Sequence, residues 1–483
     1  MIRIINLSYI VHCTSYIILL LALLPMKVFS QERIMVIADP HVLPQALIEA
    51  DPNFDTYLSK QRKMIDLSEP IWNALMDSAL KYKPSLLLIP GDLTRDGEPE
   101  AQTLVMNSLR QLEQAGIPSV IVPGNHDKTD WFTNTVAEPI KGLTILAFYD
   151  GVDVNWLVEQ AEAAKSKGNT VIAMTHRQLI DHFDGKSTLE SSARMTNSNA
   201  VRDSLMHHGV HLVLTGHFHV NSISTAFDTL SLTRDSLVEL STGSPITYPC
   251  PYRWLTLSPD RSTITVQTDY ITSLENIPDM HAYSRAWMAQ HAQILIPAIA
   301  LKAFTKKDAI LDKIRKLPFG SYFAPQLEGC IPDAEGMTQL IEKHLGATIV
   351  SLYLLHSDGN EYIHPEAASL SQAFQQGVQS LIAEMLDECT DAEMQRFIVA
   401  AVLDLAKTPI QSILTDVTEC QSPLWANRTD DLQPRLVIAA PQSREDIEPV
   451  SAKLDGSCKI IKEGQLIIRQ GEHIYNAQGA KLN

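Results

Sequence analysis

The sequence predicts an α/β domain over its first half and a mostly helical domain after it. Three observations lead there. From residue 33 to about 270, apolar β-like runs alternate with helical patterns. Five short blocks rich in Asp, His and Asn each follow one of those runs. After about residue 278 the apolar spacing becomes helical throughout. Strands alternating with helices indicate an α/β domain with largely parallel pairing.

The elements follow in order. Residues 34–38 read as a buried strand ending at Asp39. Residues 67–81 have helical spacing, with Ile71, Leu75 and Leu80 apolar. A second buried strand, 85–89, ends at Gly91-Asp92. Helix 99–115 leads to strand 119–122, which ends at Gly124-Asn125. Strand 143–148, helix 154–166 and strand 170–174 carry the chain to His176. Helix 197–208 and strand 210–214 end at Gly216-His217, and strands 236–240, 253–257 and 263–268 close the domain. Every chemistry-bearing block thus falls at a strand's carboxyl end, where open α/β sheets place their sites. Beyond, 281–304, 308–316, 335–345, 367–386 and 391–407 read as helices, because their apolar spacing suits helix packing. The boundaries expected are residues 31–278, a helical domain over 279–430, and an extension over 431–483. That extension holds a short β-hairpin at 459–469 and 474–479. The helical domain carries no chemical motif. It reads as a packing or dimerisation unit, or as a cover for the substrate site.

Residues 1–30 read as a cleaved signal peptide. Arg3 gives a positive start, 16–24 an apolar core, and Val28-Phe29-Ser30 a cleavage site before Gln31. That core is about half the ~20 residues a membrane span needs. The mature chain is expected to be exported, periplasmic or secreted, with no membrane span. Loss of Arg3 and Lys27, with no acidic residue, takes the net charge from −17 to −19. Such a charge argues against a nucleic-acid polymer as partner, since phosphate backbones are met by clustered Lys and Arg. It leaves room for a small phosphorylated substrate, because bound metals set the field at such a site. Cys13 lies in the signal. Cys250, Cys330, Cys389, Cys420 and Cys458 are odd in number, so at least one is free or pairs between chains. Disulfides are permitted among the last four.

The blocks are Asp39-Pro40-His41, Gly91-Asp92, Gly124-Asn125-His126-Asp127, His176, and Gly216-His217-Phe218-His219. Asp39 and His41, two apart on an extended strand end, point to one side. A carboxylate beside an imidazole suits Zn, Fe or Mn. Gly91 lets the chain turn sharply, so that an Asp92 oxygen bridges two cations. Asn125 offers a neutral amide oxygen, and His126 turns away from it toward substrate. His217 and His219 repeat the two-apart arrangement, so one tight turn serves both metals. Seven ligands suffice for two divalent cations once a water bridges them, and such a pair supports in-line displacement at phosphorus. Arg95 and Arg177 are candidates to grip phosphate. His182, His207, His208 and His211 belong to no block. The last three read as solvent-facing or capping, and a place beside His176 is a minor alternative for His182.

This set resembles the calcineurin-like metallophosphoesterase superfamily, over residues 31 to about 270. The resemblance implies a four-layer α/β/β/α sandwich ahead of the helical domain. It implies that Asp39, His41, Asp92 and His219 hold one metal, and Asp92, Asn125, His176 and His217 the other. A bridging hydroxide then attacks phosphorus, while His126 stabilises the transition state or protonates the leaving oxygen. Asp127 or Asp96 orients His126. Gly91-Asp92-Leu93-Thr94 lacks the Tyr of purple acid phosphatases and departs from the GDxxDRG of Ser/Thr protein phosphatases. Secreted nucleotidases carry GNHE and an α/β C-terminal domain. The remaining likeness, as an exported bacterial member, is to the cyclic-nucleotide and phosphodiester branch, with sphingomyelinase-like esterases as neighbours. Only about 15 residues separate Asp127 from the next strand, which implies an open cleft or one covered by the helical domain. The expectation is a phosphodiesterase with two divalent ions, drawn from Mn, Fe, Zn or Ni. The alternatives are a phosphomonoesterase with the same centre and an inactive binding or scaffold protein.

Overall fold

The structure is a computed structural model. It describes most of residues 32–403, residues 425–427 and 431–438, and the strands between 457 and 482. The segment expected to be a signal peptide lies outside the described residues, as do Cys389 and Cys420 and much of the helices expected at 308–316 and 391–407.

Two sheets carry the first half. The first contains β1 (Arg33–Val36), β2 (Leu86–Pro90), β3 (Ser119–Val122), β10 (Pro251–Leu257), β11 (Thr263–Tyr270) and β13 (Arg435–Val437), in the order β13-β11-β10-β1-β2-β3. β1, β2 and β3 pair in parallel, and β10 joins β1 antiparallel. The second contains β4 (Thr135–Ile140), β5 (Leu143–Ala147), β6 (Thr170–Met174), β7 (Leu212–Thr215), β8 (Ser222–Phe227), β9 (Ser236–Ser241) and β12 (Trp425–Asn427), in the order β12-β8-β9-β7-β6-β5-β4. β5, β6, β7 and β9 are parallel.

The side chains sort into three apolar layers, which is why the strands read as near-continuous hydrophobic runs. Ile34, Val36, Leu86 and Leu88 of the first sheet meet Ile145, Ile172, Leu212 and Leu214 of the second. The alternate residues Met35, Leu87 and Ile89 face α1 (Ser68–Tyr82) and α2 (Pro99–Gln114) through Ile71, Trp72, Leu75, Val105 and Leu109. Leu146, Val171, Ala173 and Val213 face α3 (Val154–Ser166) and α4 (Ser198–His207) through Leu157, Ala161, Val201 and Leu205. The result is the α/β/β/α sandwich.

Four strands of these two sheets escape the sequence reading. β12 and β13 fall at the end of the expected helical domain and the start of the expected extension, yet they pair with β8 and β11. β4 is an exposed edge strand containing Pro139 and an irregularity in its pairing with β5, so it has no buried alternation to read. It takes up part of the interval after Asp127 that reads as loop in the sequence. β8 is buried yet rich in Ser and Thr, and its hydroxyls are spent on the interior. Ser222 Oγ lies 2.9 Å from His182 Nδ1, and Ser224 donates to the Asp181 carbonyl.

The helical segments include α5 (Met280–His291), α6 (Gly320–Cys330), α7 (Ala334–Asp358) and α8 (Ala367–Leu386). The helix expected over 281–304 is interrupted by a 3-10 turn at Ala292–Ile294. Pro297 has no N–H for the residue 293 carbonyl, which favours that break. α7 runs past the expected end at 345, because its second half is apolar on several faces and offers no period to read. Leu345, Leu381 and Ile382 share its core with α8. Cys330 is disulfide-bonded, and Cys250 is buried and free. The tail expected as a short hairpin is a four-stranded antiparallel meander, β14 (Ser457–Lys462), β15 (Gln465–Gln470), β16 (His473–Asn476) and β17 (Lys481–Leu482). Among the described residues, no helix is long and apolar enough to cross a membrane.

Leu88 is fully buried between the two sheets. Leu88→Ala leaves a cavity there and is expected to cost about 2–5 kcal/mol. The measurement is the shift in a urea unfolding midpoint at constant slope.

Candidate metal centre

The loops after β1, β2, β3, β6 and β7 converge at one edge of the sandwich. Beyond the strand ends, the first two loops run side by side. Asp39 N–H donates to the Gly91 carbonyl (3.1 Å), and His41 N–H to that of Asp92 (2.9 Å). The backbone there is not extended. Asp39, His41, Asp92, His217 and His219 all have positive φ, between 41° and 69°. This corrects the expectation that Asp39 and His41 share a side because they continue a strand. They face one pocket because left-handed turns aim them there. Non-glycine residues in that region are uncommon and persist where surrounding structure enforces them, most often at functional sites.

Two clusters result. Asp39, His41, Asp92 and His219 form one, and Asp92, His176 and His217 the other, each with one donor atom per residue within 4.8 Å of the rest. His41 Nε2 lies 3.1 Å from His219 Nε2 and 3.5 Å from Asp92 Oδ2. His176 Nε2 lies 3.2 Å from His217 Nδ1, 3.2 Å from Asn125 Oδ1 and 3.4 Å from Asp92 Oδ2. Asn125 thus completes the second group. Facing imidazole nitrogens can share one proton or together hold a cation. Nitrogen and oxygen donors in this mixture fit first-row divalent metals, so these residues suit the ions expected from the sequence.

Glycines make the approach possible. A Cβ on Gly124 would stand 2.0 Å from Asp92 Oδ1, and one on Gly91 would stand 2.3 Å from His176 Nδ1. Burial disfavours a charged His217, and with His176 nearby its pKa falls to about 2. Burial acts the same way on His176. Asp92, Asp39 and the Pro90 carbonyl outweigh it and lift the pKa to about 9. Burial also opposes the Asp92 charge, yet His176 and His41 hold its carboxyl well below the usual range.

The remaining predicted residues separate. His126 edges onto His41 at a centroid distance of 4.8 Å, and its Nδ1 is 2.8 Å from Asp96 Oδ1. Of Asp96 and Asp127, the carboxylate that meets the His126 ring is Asp96. Asp127 instead accepts from the backbone N–H of Gly124, Leu93 and Thr94 and from the Thr94 hydroxyl, tying two loops together. Arg95 pairs with Glu98 at 2.7 Å and Asp96 at 3.4 Å, and Arg177 with Asp150 at 3.0 Å. Neither guanidinium is free to serve phosphate alone. His182 sits at Ser222 and Glu239 rather than on His176. His211 is buried, with Nδ1 2.8 Å from the Ser236 carbonyl, and so is not solvent-facing. His207 and His208 lie beside Asp228 and Glu162.

Sequence reading missed two contributors from outside the blocks. Lys63 lies near Asp39 and Asp92. Late in α7, His356 packs on Phe218, with ring centroids 5.6 Å apart. No motif marks either residue, since both reach the site only through folding.

A family model for calcineurin-like phosphoesterases matches residues 32–221. Three curated proteins are similar over short stretches. The DNA double-strand break repair protein Mre11 of Sulfurisphaera tokodaii is 31% identical over 16% of this chain and 22% of its own length. "Probable glycerophosphodiester phosphodiesterase GpdQ" of Arcobacter nitrofigilis is 28% identical over 16% and 29%. "Probable cyclic nucleotide phosphodiesterase syc0937_d" of a Synechococcus strain is 26% identical over 30% and 62%. The chain therefore matches less than two thirds of each.

Two predictions follow from this geometry. Gly124→Ala forces Asp92 aside and is expected to lower bound metal by at least half in elemental analysis. Metal must also displace the His176 proton in the metal-free chain. Because that pKa is raised to about 9, affinity should climb as pH rises toward 9 and fall about tenfold per unit below it. Competition with a fluorescent zinc chelator at pH 6.5, 7.5 and 8.5 measures this.

Proposed function

We propose that the chain, which matches the calcineurin-like phosphoesterase family model over residues 32–221, hydrolyses a phosphodiester at the two adjoining clusters. The observation that supports this most is the shared carboxylate. Asp92 Oδ2 stands 3.5 Å from His41 Nε2 and 3.4 Å from His176 Nε2, so one oxygen faces both groups. Asp39, His41, Asp92 and His219 hold one divalent ion in this reading, and Asp92, Asn125, His176 and His217 the other. Bound there, two such ions supply Lewis-acid charge and a water of lowered pKa.

The chain's own groups do the rest. His126 donates its backbone N–H to Asp92 Oδ1 at 2.9 Å, which fixes where its side chain starts. With the ring as an imidazolium, Nδ1–H is held by Asp96 and Nε2–H is the proton passed to the departing oxygen, which leaves the neutral Nδ1–H tautomer. Asp96 acts by keeping the ring in one tautomer and one orientation. Arg95 and Arg177 are both matched by their own carboxylates. Neither arginine therefore adds unpaired charge for the second negative charge of a phosphate dianion, which favours a singly charged diester. The N-terminal segment reads as an export signal, and in this proposal the reaction takes place outside the cytoplasm.

The test compares bis-p-nitrophenyl phosphate with p-nitrophenyl phosphate on the Mn²⁺-loaded chain starting at residue 31. Faster diester turnover is expected, and faster monoester turnover would overturn the diester assignment. Asp92→Asn should abolish activity, and His126→Ala should lower kcat by about 10²–10⁴. Asp96→Asn should lower it by about 10–100-fold with metal content unchanged.

A further inference from the structure

Lys63 lies between the short helix Phe54–Leu58 and the 3-10 turn Ile65–Leu67. We infer that Lys63 is an anion-binding residue of the phosphoester site, gripping a non-bridging phosphoryl oxygen, and that Tyr353 of α7 positions its loop. This inference rests on the phosphoesterase reading above.

The loop is chained to the site through the backbone. Met64 N–H donates to the Ile246 carbonyl at 2.8 Å. Ile246 N–H reaches Ser244 Oγ at 3.4 Å, and that hydroxyl donates to the Asp39 carbonyl at 2.7 Å. Three hydrogen bonds thus connect the residue after Lys63 to a candidate ligand. Met64 and Ile65 are fully buried, which anchors the loop on its inner side.

The half-buried Lys63 ammonium acts on one side of the centre. Its charge interacts with Asp39, Asp92 and Asp96, and it bears on His41 and His219. All belong to the first cluster or stand beside His126. Unlike Arg95 and Arg177, Lys63 has no ion-pair partner within 4.0 Å among the described residues. A partly desolvated cation without a close counter-ion is costly. It is costlier beside dications, unless an anion is shared between them. A phosphoryl group has oxygens enough to face the metals and the ammonium together. Burial lowers the Lys63 pKa from the ordinary lysine value, while the three carboxylates act to keep the charge.

The outer side of the loop is held from the helical half. The Arg62 guanidinium is hydrogen-bonded to the Tyr353 hydroxyl and stands 5.1 Å from the centre of its ring. Tyr353 packs with Tyr248, Met288 and Leu354. The helical segment therefore meets this loop through the residue next to Lys63.

The experiment titrates inorganic phosphate into the metal-loaded full chain by calorimetry, with metal content measured on the same samples. Lys63→Met should weaken phosphate binding about tenfold, the loss of one charge-assisted hydrogen bond, with metal content unchanged. KM for the diester should rise while kcat stays within about threefold, and Lys63→Arg should recover part of the affinity. Tyr353→Phe should weaken phosphate about twofold without moving the thermal midpoint. Unchanged phosphate affinity in Lys63→Met would sink the proposal. So would loss of metal in that variant, because Lys63 would then serve to balance Asp39 and Asp92. A wild-type chain that binds no phosphate would sink it as well. A wild-type chain that binds phosphate through Lys63 but cleaves neither ester would overturn the proposed activity and support the anion site.

Discussion

The carboxylate of Asp92 divides its two oxygens between structure and chemistry. Oδ1 accepts the His126 N–H at 2.9 Å and so ties the loop after β2 to the loop after β3. Oδ2 is then left between His41 and His176, at 3.5 and 3.4 Å. A buried carboxylate costs free energy unless it is met by donors or cations. Here the neighbouring imidazoles keep it ionised against that cost. Gly124 must lack a side chain for the contact to exist, and Asp92 must take a positive φ to offer it. The other candidate ligands gather around a point that this one residue defines.

Strain at the site is offset by the sandwich beneath it. Five of the eight non-glycine residues with positive φ among the described residues are candidate ligands. Each costs of the order of 1 kcal/mol or more. Their loops are short and leave strands that are buried on both faces, so the backbone has nowhere to relax. Asp127 accepts three hydrogen bonds from Leu93 and Thr94 that lock the second and third loops together, and a fourth from Gly124 within its own loop. Its role is in the fold of the site rather than at His126, which is why its place in the GNHD block misleads.

The helical half contributes through one end of α7. Tyr353 meets Arg62, and His356 packs against both Phe218 and Phe183. Phe218 lies between His217 and His219, so this contact presses on the turn that presents both. The Lys186 ammonium covers the Phe218 ring at 3.2 Å. The turn that presents His217 and His219 is thus packed partly by a residue from far along the chain.

The alternation of strands and helices was legible in the residues alone, and so were seven candidate ligands at the strand ends. Both were legible because parallel buried strands need continuous apolar runs and divalent metals need Asp, His and Asn donors. Edge strand β4 and the Ser/Thr-rich β8 left no such mark, since the first buries little and the second hides its polarity in side-chain hydrogen bonds. Even where the ligands were legible, their aim was not. The two-apart spacing of Asp39 and His41 suggested an extended strand, and left-handed turns do the aiming instead. Tertiary structure alone decided that Asp96 rather than Asp127 meets His126. It also decided that Arg95 and Arg177 are already paired and that Lys63 stands near Asp39 and Asp92 with no ion-pair partner within 4.0 Å among the described residues. These are matters of which charges end up adjacent, and adjacency between residues far apart in sequence is fixed only when the layers pack.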